Sequence, residues 1–145
     1  MTFHRILVPI DFSETSLHAL RLAVHEARTH GAELVLLHVG AVPWAIAPNP
    51  DLASPILVQW NDEIAREHEA ALRRVAREEV PSDIAVSTIV KEGVPTTAIL
   101  ESIAETGADL VVMGTHGRRG LDRLFLGSVA ESVLRESTIP VLVTR

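Results

Sequence analysis

A chain of 145 residues, 47% hydrophobic, without cysteine and with a formal net charge of -6, is sized for one domain, spanning 1–145, with a core that needs no disulfide or metal staple. The acidic balance and the scarcity of aromatics, two Trp, three Phe and no Tyr, exclude general nucleic-acid binding, which needs a basic surface and stacking platforms. No apolar run approaches the roughly 18 residues of a membrane span; the N-terminal apolar stretch is broken by Pro9 and ended by Asp11, too short for a signal-peptide core, and cysteine-free composition fits a reducing, cytoplasmic setting.

Apolar runs then alternate with helical patterns. Ile6-Leu7-Val8 is the first predicted strand, and Ser13 is placed to cap a helix that carries Leu17, Leu20, Ala23, Val24 and Ala27 on one face and ends near Gly31. Leu34 to Val39 is the second strand, with the continuous hydrophobicity of a strand buried on both faces. Gly40 to Pro55 holds four of the eight prolines and Trp44, too irregular for an element and long for a connector, which suggests a lid. Ile56 to Glu79 places Ile64, His68, Ala71, Leu72, Val75 and Ala76 at helical spacing and stops before Pro81. Ile84 to Val90 is expected as the third strand. Gly93-Val94-Pro95 opens a helix to Thr106-Gly107, Leu110 to Met113 is the fourth strand, Ser128 to Glu136 the last helix, and Pro140 to Val143 the final strand.

Five strands alternating with helices imply a mainly parallel sheet with helices on both faces, joined by right-handed crossovers. Ligands of such sheets bind beyond the carboxyl ends of the strands, where strand order reverses. Pro9-Ile10-Asp11, His38-Val39 and a glycine loop from Gly114 all fall on that rim. The loop reads Gly-Thr-His-Gly-Arg-Arg-Gly-Leu-Asp-Arg-Leu-Phe-Leu-Gly-Ser. Its glycines let backbone N–H groups approach an anion, the helix from Ser128 adds its positive end, and Arg118, Arg119 and Arg123 outnumber Asp122 in an otherwise acidic chain. This is the chemistry of a phosphate cradle.

The spacing Gly114, Gly117, Gly127, Ser128 is that of Gly-x2-Gly-x9-Gly-Ser/Thr, and with Asp11, Gly93-Val94-Pro95 and the closing Ile139-Pro140-Val141-Leu142-Val143 it makes the chain resemble the ATP-binding subset of the universal stress protein family over essentially its whole length. The resemblance implies a Rossmann-like, adenine-nucleotide-hydrolase-like sheet of order 3-2-1-4-5, an adenine nucleotide at the switch between strands one and four, and a homodimer. It puts Asp11, with Pro9, near the adenine and ribose, Val39 at the base, Met113 and Gly114 at the ribose, and Gly117, Gly127, Ser128 and Val129 at the phosphates; charge and place add His116, Arg118 and Arg119. The ligand implied is ATP, or ADP or AMP, with Mg2+ or Mn2+ as candidate companions of the phosphates. Phe12 departs from the glycine that many members carry between the aspartate and the serine.

Each assignment has a structural competitor. Ser128 with Glu131 spells a capping box, Asp11 is suited to cap the first helix, and Trp44 and Trp60 are better read as covers for apolar surface. Seven scattered histidines form no metal-ligand set. The favoured function is a nucleotide-dependent regulatory module in stress physiology, acting on a protein partner that the sequence does not identify; the alternative is a slow ATPase or a nucleotidyl- or phosphotransferase. For catalysis the loop offers only His116 and Asp122, neither with an evident orienting partner, and no P-loop lysine motif is present. A phosphoacceptor receiver domain ranks lower, because the third strand ends in Val90-Lys91-Glu92-Gly93 without an acceptor aspartate. In the order 3-2-1-4-5 the last strand lies at an edge with no lysine or internal proline to protect it, so pairing with a second copy is expected there.

Overall fold

The computed structural model describes residues 1–40, 55–115 and 126–145, and of residues 55–61 the backbone alone. Its elements are β1 (Arg5–Pro9), α1 (Glu14–His30), β2 (Glu33–Gly40), α2 (Pro55–Glu79), β3 (Val86–Glu92), α3 (Pro95–Thr106), β4 (Leu110–Gly114), α4 (Ser128–Glu136) and β5 (Val141–Thr144). All four strand pairings are parallel and the order is β3-β2-β1-β4-β5, as the alternation and the resemblance led us to expect.

Side-chain alternation along the strands divides the core. Ile6, Val8, Leu34, Leu36 and Val112 pack with Leu20 and Ala23 of α1 and Leu72 of α2, whereas Leu7, Val35, Leu37 and Val111 pack with Ile99 and Ile103 of α3 and Val133 of α4. Both faces of the sheet are therefore covered, and each fully buried aliphatic side chain contributes about 1.5–3 kcal/mol. β1 is the third of the five strands in this order, which places it at the centre of the sheet.

Local signals set most boundaries. Ser13 is the N-cap of α1, its Oγ accepting from Ser16 N–H at 3.2 Å, and Gly31 ends the helix at φ 70°, a left-handed cap that costs a residue without Cβ nothing. Strand ends fall within two residues of expectation, and one expected cap does not form. β3 begins at Val86 rather than Ile84, because Ile84 closes a turn by donating its N–H to the Pro81 carbonyl at 3.1 Å while burying its side chain; the alternating apolar residues ran into the turn. At α4 the N-cap is Gly127, which has no side chain to cap with, so Ser128 is the first helical residue and the capping box read from Ser128 and Glu131 does not form.

The amino ends of the strands are tied together. The Asp109 carboxylate accepts the N–H groups of His4 at 2.8 Å and Arg5 at 3.0 Å. The Arg5 guanidinium meets the Glu33 carboxylate and donates to the Thr106 carbonyl, joining β1, β2 and α3.

Candidate functional site

The two central strands part company toward their carboxyl ends. β1 and β4 are in register at Ile6↔Leu110 and Leu7↔Val111; beyond that, β1 stays with β2, at Pro9↔Leu37 and through Ile10 N–H on the Leu37 carbonyl at 2.7 Å. β4 stays with β5, at Gly114↔Thr144 and through Thr115 N–H on the Thr144 carbonyl at 2.8 Å. Alternate N–H groups of a strand face opposite neighbours, so the donor that Pro9 lacks is one that would have faced β4. The sequence Val-Pro-Ile-Asp thus opens a crevice where the strand order reverses.

At one side of this crevice stands the turn from β1 into α1. Asp11 Oδ1 accepts Ser13 N–H at 2.9 Å and also the Ser13 hydroxyl, so the carboxylate is set against the start of α1, in keeping with its structural reading. Phe12 between them has φ 64°, a left-handed conformation that is rare for a bulky side chain and natural for glycine. Val39 and Val129, both half-buried, and Met113, 4% exposed, pack in the layer shared with α3 and α4.

At the other side α4 begins. Gly127 N–H donates to the Thr115 carbonyl at 2.7 Å, and the first intrahelical bond runs from Glu131 N–H to the Gly127 carbonyl at 2.9 Å. The N–H groups of Ser128, Val129 and Ala130 consequently have no acceptor within the helix, at the end where the helix dipole places roughly half a positive charge. Gly114 has a packing reason of its own: a Cβ there would stand 2.8 Å from Thr15 Cγ2 and 3.1 Å from the Thr15 carbonyl carbon and oxygen.

The structure therefore gathers Pro9, Asp11, Val39, Met113, Gly114, Gly127, Ser128 and Val129 at the carboxyl end of the sheet. His116, Gly117, Arg118 and Arg119 lie outside the described residues, as do Trp44 and most of the suggested lid. Sequence reasoning missed Thr15 and Thr115, whose roles are close approach and backbone pairing; only the position of Thr115 inside the glycine motif hinted at one. Among the described residues no three His, Cys, Asp or Glu side chains cluster as metal ligands, and no helix is long and apolar enough to cross a membrane.

The universal stress protein family model matches residues 2–145. Universal stress protein MJ0531 of Methanocaldococcus jannaschii is 34% identical over 146 residues, covering 99% of this chain and 82% of its own. The solved structure of MJ0577, from the same organism, superposes with a TM-score of 0.82 at 28% identity over 99% of this chain and 96% of that one. A universal stress protein solved in complex with cAMP superposes with a TM-score of 0.62 at 26% identity, covering 100% and 98%.

Proposed function

The chain belongs to the universal stress protein family, and from that premise we propose that it is an adenine-nucleotide-binding regulatory module, with ATP or its ADP or AMP counterpart lying across the crevice between β1 and β4. The observation that carries this reading is the start of α4, whose N-cap is a glycine with no side chain to spend on the helix and which is tethered to Thr115 at the point where the central strands part. The N–H groups of Ser128, Val129 and Ala130 would receive phosphate oxygens, assisted by Gly117 and by the charges of Arg118, Arg119 and His116. Gly127 contributes close approach, since its own N–H is spent on Thr115. Pro9, Asp11, Val39, Met113 and Gly114 would form the base and ribose end. The relative solved with cAMP supports the ligand class, an adenosine bearing phosphate.

Mg2+ or Mn2+ would be held chiefly by phosphate oxygens and water, the usual arrangement for a small hard cation on a nucleotide. We further read the protein as cytoplasmic and as a homodimer formed by β5 against its copy, the last strand being an edge whose residues are all half-buried. A change of nucleotide would then be read by a separate protein partner. The direct test is mass spectrometry of nucleotide released from freshly purified, denatured protein, with an adenine nucleotide as the expected product. Absence of any nucleotide, together with no thermal stabilisation by ATP, would overturn the reading. Multiple turnover at the ~1–10³ s⁻¹ of ordinary enzymes would replace it with the ATPase or transferase alternative.

A further inference from the structure

His38 is the group at this end of the sheet that nucleotide binding leaves without a task. It is 6% exposed, and its Nδ1 lies 2.7 Å from the Ile10 carbonyl oxygen. A carbonyl only accepts, so the imidazole proton on that side belongs to Nδ1. In a regular parallel ladder a backbone N–H of β2 would take that carbonyl; here a β2 side chain takes it, at the last residue before the chain turns toward Asp11. The Phe12 ring lies against His38 with centroids 4.6 Å apart, and His68 of α2 packs edge-on behind it at 4.5 Å. Gly40 leaves His68 its place, since a Cβ there would come within 3.2 Å of His68 Nδ1.

We propose that His38 is a positioning residue of the nucleotide site: by holding the Ile10 carbonyl with Nδ1–H and the Phe12 ring with its own, it imposes the left-handed turn at Phe12 and so fixes where the Asp11 carboxylate stands before a ligand arrives. A bulky residue keeps φ 64° only where its surroundings impose it, and here these are the tilted His38 ring, backed by His68, and the core layer against which Phe12 packs. The proposal rests on the nucleotide reading of the crevice, with Asp11 at its base and ribose end. His38 itself touches no ligand in this scheme; it acts through Phe12 and Asp11.

The test is ATP titration calorimetry on the full-length chain and four variants: His38→Ala, His38→Asn, Phe12→Gly and the double variant His38→Ala with Phe12→Gly. Loss of one buried hydrogen bond and of the ring support should weaken ATP binding about tenfold in His38→Ala, and His38→Asn, whose amide nitrogen stands near the place of Nδ1, should recover part of it. In the Phe12→Gly background the turn costs nothing, so removing His38 should then cost clearly less, a coupling that general loosening of the core would not produce. Long-range proton–nitrogen NMR of the ligand-free protein should find His38 with its proton on Nδ1, whether or not His38→Ala folds. Equal ATP affinity in wild type and His38→Ala, equal losses in both Phe12 backgrounds, or a proton on Nε2 alone would overturn the proposal and leave the nucleotide site standing. A wild-type chain that binds no adenine nucleotide would overturn both.

Discussion

At the amino ends of the strands, polar groups satisfy one another: Asp109 takes two backbone N–H groups, Arg5 bridges Glu33 and the Thr106 carbonyl, and Gly31 and Gly107 close α1 and α3 with left-handed caps. At the carboxyl ends the central strands separate, Phe12 is held at positive φ, and α4 starts from a glycine N-cap. Both ends are built from the same strands and helices. The difference teaches that a donor paired inside the fold adds stability, whereas one left for an outside acceptor can contribute only when a ligand arrives. The closed end is where stability is expected to reside, and the open end is where we place binding.

That division can be broken from either side. Gly117→Asp, which sets a carboxylate in the proposed phosphate loop, should erase the roughly 2.7 kcal/mol that ATP supplies at ~100 times its Kd while leaving the ligand-free Tm unchanged. A full ATP-dependent rise in Tm for the folded variant would move the phosphates elsewhere. Asp109→Ala, at the closed end, strands two backbone donors and should cost about 2 kcal/mol, read as a lower urea midpoint, with the ATP increment preserved. Loss of that increment as well would erase the distinction between the ends.

Smaller effects sharpen the comparison. Ser102 of α3 is fully buried, and its hydroxyl has no hydrogen-bond partner among the described residues. Ser102→Ala should therefore gain up to about 1 kcal/mol in denaturant unfolding, with no change in ATP affinity; a loss would show that the hydroxyl is satisfied. The least effect belongs to exposed Asp83, whose carboxyl is held below the ordinary aspartate range by the hydrogen bond from Arg28 and next by a backbone hydrogen bond. A depressed folded-state pKa stabilises above the unfolded value of about 3.9 and is lost as pH falls through the folded one. Asp83→Asn should accordingly be slightly less stable than wild type at neutral pH, the gap closing in acid, by urea unfolding across that range.

Where a boundary follows from short-range chemistry, the sequence was legible: Ser13 before a helical face, Gly31 after it, and the alternation of apolar runs for a parallel sheet, whose order came from the family resemblance alone. Ile84 misled because a turn residue packed into the core carries the same apolar signal as a strand residue. Ser128 misled because glycine competes for the cap position, and Gly127 took it by bonding to Thr115, a contact between residues separated by the whole glycine loop. His38 carried no assigned role in the sequence, because its bond to Ile10 and its contact with Phe12 depend on the β1–β2 register, which no local pattern encodes. The positive φ of Phe12 is likewise a property of what surrounds it.

Thr115 has a further consequence. Its N–H is bonded to Thr144 in the edge strand and its carbonyl to Gly127 at the mouth of α4, so these two places are separated by a single Cα and the two soft torsions that flank it. A shift of a few degrees at the helix mouth needs no relay of side chains to reach the rim of the sheet. It arrives there through one buried threonine, a mechanical linkage one residue long.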